Sequence, residues 1–238
     1  MHTAYQKQPH LSAVDHVVES IKKLLLSGEL KPGDRLPNEG ELAELLGVSR
    51  GSVRSAMKVF SAYGLVDIRV GDGTYVCTEI NHNSLNSLIF PMLILQPHVD
   101  VLAEFREKVE IDIIELILSD DQRRLQTVSL LANSLQELRE LQSSAAPLER
   151  FVENDLNFHR ILARQSGNIV FETIYNQLLE YFIPFITASH KHQEAGTAAD
   201  SSHAKICRAL EQNDLSLAQK AIFDSNEYWR HSVVYSPK

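Results

Sequence analysis

The chain has 238 residues, 44% of them hydrophobic and 23% charged, which is typical of globular proteins and long enough for two domains. Its longest apolar run near the middle, residues 88–95, contains Pro91 and is too short to span a bilayer. The stretch Met1–Pro9 lacks the apolar core of a signal peptide, so we expect a cytoplasmic protein with no membrane partner. Cys77 and Cys207 match no zinc or redox spacing, and we interpret both as ordinary buried or half-buried thiols.

The formal net charge of −8 argues at first against a polyanionic partner, but the acidic residues are unevenly distributed. Residues 1–80 hold nine Lys and Arg against ten Asp and Glu, whereas residues 81–238 hold fourteen against twenty-one. Four of the nine basic residues in the first part fall within twenty positions: Arg50, Arg54, Lys58 and Arg69. A basic face on a nearly neutral domain suits contact with phosphate groups.

Capping residues and glycines delimit three helices in the first part of the chain, and alternation then predicts a hairpin. Ser12 with Asp15, and Asn38 with Glu41, have the spacing of capping boxes, and Ser49 is the N-cap of the third helix. The predicted helices span Leu11–Ser27, 39–46 and 50–63, and the predicted strands span Leu65–Arg69 and Thr74–Thr78 around a turn at 71–73.

The second and third helices, joined by 47–49, predict a helix-turn-helix, and the hairpin would be its wing. The first turns of the third helix carry Arg50 and Arg54, and an arginine there can donate twice to a guanine edge. Serines at a helix N-terminus suit phosphate contact, and glycines in the wing let its backbone approach the minor groove. The predicted DNA-contacting residues are Arg35, Ser49, Arg50, Gly51, Ser52, Arg54, Arg69, Gly71 and Gly73.

The rest of the chain shows a polar stretch followed only by helical periodicity. We therefore expect a mainly α protein with a winged helix-turn-helix domain over 1–80, a linker over 81–97 and an all-α bundle over 98–238. The predicted bundle helices span 99–118, 121–142, 148–165, 169–190, 200–212 and 215–232. Asn168 is the expected N-cap of the fourth of these, and Pro184 should kink it.

The motifs of residues 12–78 resemble the GntR family of bacterial regulators. They are Pro32-Gly33-Asp34-Arg35, Leu36-Pro37-Asn38-Glu39-Gly40-Glu41-Leu42-Ala43, Leu46-Gly47-Val48-Ser49-Arg50, Val53-Arg54, Gly64-Leu65-Val66 and Gly71-Asp72-Gly73-Thr74-Tyr75-Val76. The chain departs from the pattern at Gly40, where the family often has an arginine that touches DNA, and Asp72 adds a negative charge to the wing. The resemblance implies a homodimeric regulator that binds a short palindromic operator, most often as a repressor.

Residues 98–232 resemble, more loosely, the FadR-like subfamily with its FCD-type effector domain. The residues that carry this resemblance are Arg106, Asp155, Phe158, His159, Gly167, Asn168 and His203. It implies a site for a small carboxylate or sugar acid, often bound through a metal held by an aspartate and three histidines. The third histidine would fall near position 225, where this chain has Ser225 followed by Asn226. The implied effector-binding residues are Arg106, Asp155, His159, His203 and Asn226.

The residue chemistry supports a divalent metal, zinc or a similar ion, at Asp155, His159 and His203. Asp155 and His159 are four residues apart and so project from one helix face, and three protein ligands leave positions open for water or an effector. The alternative for this pair is a hydrogen bond with no ligand, and for His203 a surface or capping role near the start of its helix.

Two further residue groups have a functional and a structural interpretation. Arg106 can clamp an effector carboxylate, or it can form only an intrahelical pair with Glu110, four residues on. The sequence His190-Lys191-His192 suggests metal binding, but we interpret it as a solvated helix end.

Three rival functions are weighed against a metabolite-responsive regulator. A metal-dependent enzyme would use the same Asp155, His159 and His203, but we find no nucleophile motif, phosphate loop or general base beside them and expect no enzyme. In a metal sensor the ion itself would be the signal. The third rival is an acyl-chain sensor, and the polar character of the cluster argues against its apolar pocket.

Overall fold

The computed structural model describes residues 12–79, 89–144, 146–191 and 195–232. Contacts divide the chain into two compact units, Met1–Ser87 and Leu88–Lys238. The described part of the first unit holds three helices and a two-stranded sheet, and that of the second holds helices only, which confirms the predicted fold class. No helix within the described ranges is both long enough and apolar enough to cross a membrane.

The helices of the first unit are α1 (Ala13–Ser27), α2 (Glu39–Leu46) and α3 (Arg50–Ala62). Both predicted capping boxes are present, one at Ser12 and one at Asn38, and Ser49 accepts a hydrogen bond from the backbone of Ser52. The apolar faces of the three helices meet in one core that includes Val17, Ile21, Leu42, Val53, Ala56, Met57 and Phe60.

The wing consists of β1 (Val66–Arg69) and β2 (Gly73–Val76), paired antiparallel with Val66 opposite Val76. The connection between α1 and α2 also lies along β2: Leu36 donates to the carbonyl of Thr74, and Val76 donates to that of Asp34. These bonds, which the sequence did not predict, tie the wing to residues that precede the helix-turn-helix.

The second unit begins with the short helix α4 (Ile89–Leu95), which packs against α8, and continues with six longer helices. These are α5 (Val99–Leu118), α6 (Asp121–Ser143), α7 (Leu148–Gln165), α8 (Ile169–His190), α9 (Ala195–Gln212) and α10 (Leu215–Ser232). Asn168 caps α8 as predicted, and that helix continues through Pro184. The core between them includes Ile113, Ile114, Leu131, Phe158, Leu162, Leu179, Phe182, Ile206 and Ile222.

Two parts of the second unit depart from the sequence prediction. Helix α4 lies inside the stretch 81–97 that was predicted to be a linker. Pro91 is compatible with this helix because it falls in the first turn, where a proline removes no helical hydrogen bond. Helix α9 begins at residue 195 rather than 200, over Ala-Gly-Thr-Ala-Ala, which has no apolar periodicity to mark it. Residues 81–88 of the predicted linker lie outside the described ranges.

Two consecutive arginines at the start of α6 bind the C-terminal ends of three other helices. Arg123 donates to the carbonyls of Leu116 in α5 and Ser166 after α7, at 3.0 and 2.9 Å. Arg124 donates to the carbonyl of Leu210 in α9 at 3.0 Å. Because the last carbonyls of a helix carry partial negative charge and lack the usual i+4 amide donor, these guanidinium groups are well placed at the helix ends.

Candidate functional site

The start of the predicted recognition helix, α3, exposes Arg50 and Gly51 and uses its serines for capping. The hydroxyls of Ser49 and Ser52 lie 2.9 Å apart, and Ser49 also accepts from the Ser52 backbone. The guanidinium of Arg50 lies beside Gly40 of α2, where an added Cβ would be 3.2 Å from its Nη2. The absence of a side chain at position 40 therefore leaves room for Arg50.

Arg54 projects from α3 and binds Glu39 at the first position of α2. Its Nε lies 3.1 and 3.0 Å from the two carboxylate oxygens, and its Nη2 lies 2.6 Å from Oε2. The side chain of Arg54 is 61% exposed. A second helix thus orients this arginine while its outer donors stay open to solvent.

The wing residues that were predicted to touch DNA are held by contacts within the hairpin. Arg35 donates to the carbonyl of Asp72 and covers Gly73, where an added Cβ would lie only 2.7 Å from its Nε. Arg69 pairs with Asp67 and stacks 4.4 Å from the centre of the Tyr75 ring. In the turn, Gly71 is exposed with φ of +81°, and the Asp72 carboxylate accepts from the Tyr75 hydroxyl.

In the helical unit, Asp155 and His159 of α7 and His203 of α9 bring one potential ligand atom each within 4.8 Å of one another. His159 and His203 are buried, and the Asp155 side chain is 14% exposed. The His203 ring stacks face to face on Phe158 at 3.7 Å between centroids. The structure thus brings together the three predicted ligands, and His203 is a core residue rather than a surface or capping histidine.

A buried network on α5 adjoins this cluster. Arg106 Nε donates to Glu110 Oε1 at 2.8 Å, and its Nη2 donates to His159 Nε2, also at 2.8 Å. The same Glu110 oxygen accepts from the hydroxyl of Tyr175 and lies 3.1 Å from His159 Nδ1. Arg106 therefore forms the intrahelical pair with Glu110 and also reaches the predicted site.

His190 was wrongly interpreted as a solvated helix end. Its side chain is 3% exposed, and its Nε2 lies 3.0 Å from Asp155 Oδ2. Helix α8 packs against α7, and this contact extends to the last turn of α8, where it buries the His190 side chain. The sequence alone does not show how far that contact extends. His192 lies outside the described residues.

Several buried polar atoms of the described residues have no hydrogen-bond partner, which is uncommon in a protein interior. They include Asp155 Oδ1, His203 Nδ1 and both amide atoms of Asn226, a fully buried residue of α10. Helix α10 packs against α5 and α9, which carry Arg106 and His203. Ser225, at the position expected for the third histidine, is only partly buried.

The charges of the site differ among its groups. Burial alone would raise the pKa of Asp155, but the hydrogen bond from His190 and the nearby histidines hold that pKa well below its usual value. Burial would likewise raise the pKa of Glu110, and the charge of Arg106 keeps it low. Burial lowers the pKa of His203 to about 3, so that this ring is neutral at physiological pH and its lone pair is available.

Arg106, Asp155, His159, His203 and Asn226 were predicted for this site from the sequence, whereas Tyr175 was not predicted and His190 was assigned to a solvated helix end. Tyr175 and His190 both lie on α8, 15 positions apart and with buried side chains, and each reaches a carboxylate on another helix. A polar residue inside an apolar helical stripe is the one signal that pointed to them, because burying such a group requires a partner.

A recognition helix with exposed arginines, a wing beside it, and a separate helical unit with a buried polar site define a DNA-binding transcriptional regulator. Residues 13–76 match the family described as "Bacterial regulatory proteins, gntR family", and residues 101–224 match the FCD domain. The chain belongs to the GntR family and carries an FCD domain.

Individual relatives agree with this assignment. The HTH-type transcriptional regulator Mce2R of Mycobacterium tuberculosis is 31% identical over 241 residues, covering 97% of this chain and 95% of that protein. LutR of Bacillus subtilis is 30% identical over 169 residues, covering 71% and 74%. The HTH-type transcriptional repressor NanR of Escherichia coli is 29% identical over 217 residues, covering 87% and 78%.

The fold also has a solved counterpart. The structure titled Streptococcus agalactiae GntR aligns with a TM-score of 0.64 at 24% identity, covering 92% of this chain and all of that one. The family and its named relatives are DNA-binding regulators rather than enzymes.

Proposed function

We propose that the chain is a cytoplasmic, homodimeric repressor that responds to a small carboxylate or sugar acid bound in its helical unit. One relative carries the name transcriptional repressor, which supports the direction of regulation proposed here. In a dimer, two copies of α3 would each enter a major groove of a short palindromic operator. The proposed DNA contacts are Arg35, Ser49, Arg50, Gly51, Ser52, Arg54, Arg69, Gly71 and Gly73.

The observation that supports the effector site is the convergence of Asp155, His159 and His203 inside the bundle. Two imidazoles and a carboxylate are the donor set that zinc and similar divalent ions prefer. The unpartnered Asp155 Oδ1 and His203 Nδ1 fit this use, because a buried acceptor without a partner is costly unless something binds it. When bound, such an ion supplies a Lewis acid with positions left for a carboxylate oxygen.

Arg106 is the group proposed to recognise the carboxylate itself. Its guanidinium is buried, fixed at Nε by Glu110, and directed with Nη2 towards the same cluster. Asn226 offers an amide donor and an amide acceptor that are buried and unpartnered, which suits the hydroxyl or carboxyl groups of a sugar acid. The proposed effector set is therefore Arg106, Asp155, His159, His203 and Asn226.

The test is an operator mobility-shift titration with the full chain in the presence of a panel of organic and sugar acids. An effector acts only if its affinity differs between the DNA-bound and free states, so operator affinity should fall as that acid saturates the protein. Asp155→Asn should abolish the response while leaving operator binding without effector unchanged. Unchanged operator affinity across the panel at saturation would contradict the proposal.

A metal-independent carboxylate sensor is a second candidate, supported by one contact. Arg106 Nη2 donates to the Nε2 lone pair of His159, which is the lone pair that faces Asp155 and that a metal would need. A response that survives chelation would favour this candidate over the metal-dependent one. A change in operator affinity with zinc alone would instead indicate a metal sensor.

A further inference from the structure

His190 is the last residue of α8, yet its side chain is among the buried polar groups of the bundle. It packs on α7, where Phe151 lies 6.3 Å away between ring centroids and Asp155 accepts its hydrogen bond at 3.0 Å. Phe151 and Asp155 are four residues apart and share one face of α7, so both hold the same imidazole. His190 is not a member of the cluster formed by Asp155, His159 and His203.

The hydrogen bond from His190 gives the two oxygens of the Asp155 carboxylate different environments. Oδ2 accepts from His190, whereas Oδ1 is buried without a partner and lies 3.6 Å from His159 Nε2. Because the carboxylate is planar and rigid, holding one oxygen fixes the direction of the other. In the observed arrangement the free oxygen is the one on the side of His159.

We propose that His190 is a positioning residue for a divalent cation of the zinc class at Asp155, His159 and His203. It holds Asp155 by Oδ2 and so presents Oδ1 to the cation, without itself being a ligand. The inference rests on the proposed metal-dependent function. It adds a fourth residue, on a helix that contributes none of the three ligands.

The geometry favours a positioning role over direct ligation. The ligand atoms of Asp155, His159 and His203 lie mutually within 4.8 Å, and His190 is not a member of that group. Hydrogen bonds to metal-ligating side chains orient them, and their loss typically lowers metal affinity about 10- to 100-fold. His190 has the burial and the single well-placed hydrogen bond that such a residue needs.

The experiment is a cobalt(II) titration of the full chain after chelator treatment, followed by the d–d absorption of the bound ion and by competition with zinc. His190→Phe removes the donor and keeps an aromatic ring, so cobalt affinity should fall about 10- to 100-fold. His190→Gln places an amide N–H within similar reach and should restore most of the affinity and the spectrum. His16→Gln, on the exposed face of α1, should behave as the wild type.

The outcomes distinguish the positioning role of His190 from the metal-dependent function on which it rests. Wild-type affinity in both His190→Phe and His190→Ala would overturn the positioning role, provided that Asp155→Asn abolishes binding. An equal loss in His190→Gln and His190→Phe would also overturn it, since the imidazole itself would then be the ligand. No cobalt or zinc binding by the wild type would overturn the metal-dependent function together with this inference. Should His190→Phe fail to fold, His190→Ala, checked by its melting curve without metal, replaces it.

Discussion

Each unit of the molecule contains an arginine–glutamate pair, and the two pairs differ mainly in their exposure to water. Arg54 and Glu39 meet at 2.6 Å with side chains 61% and 36% exposed, whereas Arg106 and Glu110 meet at 2.8 Å with side chains 6% and 2% exposed. Water screens the first pair, so its carboxylate can be exchanged for a DNA acceptor at little cost. The second pair is desolvated, and opening it requires a ligand that brings its own charge.

The largest expected effect comes from removing the carboxylate of the buried pair. Glu110→Gln removes the carboxylate paired with the buried Arg106 guanidinium, and the free energy of unfolding should fall by about 3–5 kcal/mol. The loss of helical circular dichroism in a urea titration follows the unfolding, because both units of the chain contain helices. If the free energy of unfolding falls no more in Glu110→Gln than in Glu39→Gln, burial does not make the two pairs differ in their contribution to stability.

The next effect tests the hydroxyl that supports the buried pair. Tyr175→Phe removes the hydrogen bond to Glu110 and should cost about 1.5–3 kcal/mol, the range for a bond to a charged group. The same urea titration measures it. Tyr63→Phe, at a tyrosine that is 45% exposed, is the matched control and should have almost no effect. If Tyr175→Phe and Tyr63→Phe have the same urea midpoint, the Tyr175 hydroxyl does not contribute to stability and the residue acts only through the packing of its ring.

The exposed arginine should matter for DNA rather than for stability. Arg54→Ala should weaken operator binding about 5- to 150-fold and relax the base preference at one position, with an unchanged melting temperature. Lys58→Ala, about one turn further along α3, should weaken binding to all DNA sequences alike and reduce the salt dependence of binding. Mobility-shift assays on an operator and on single-base variants distinguish these patterns. Unaltered affinity and base preference in Arg54→Ala would mean that α3 does not read the operator through this residue.

The smallest effect is expected at the exposed carboxylate. Glu39→Gln should shift the melting temperature by less than about 2 °C, because an exposed ion pair contributes little to stability. Operator affinity should stay the same or rise, since Arg54 would lose a competitor for its donors. A marked fall in operator affinity would instead show that Glu39 is needed to aim Arg54.

The same contrast explains how much the sequence could predict. Exposed features are local, so the caps at Ser12, Asn38 and Ser49 could be predicted from neighbouring residues. Five of the six predicted bundle helices agree with the structure to within one residue at each end, because an apolar stripe with helical period is also a local signal. Asp155 and His159 could be paired by spacing alone, since they lie on one turn of one helix.

What the sequence did not predict depends on contacts between elements distant in the chain. His190 was misjudged because its burial is decided by where α8 ends against α7, and the pairing of residues 33–36 with β2 was missed for the same reason. Helix α4 was missed because Pro91 in a short apolar stretch indicates a break unless its position within the first turn is known. Propensity and periodicity carry no information on such long-range contacts.

Arg123 and Arg124 have a mechanical consequence for the helical unit. By binding the C-terminal ends of α5, α7 and α9 they join these three helices at one end, and Gly167, whose added Cβ would lie 2.7 Å from Arg123, keeps that junction closely packed. Arg106 lies ten residues before Leu116, about 15 Å along α5 from this junction. A ligand at the site would therefore act on helices that are fixed to one another at one end. The displacement of α5 would grow towards its first residue, on the side where the chain comes from the DNA-binding unit.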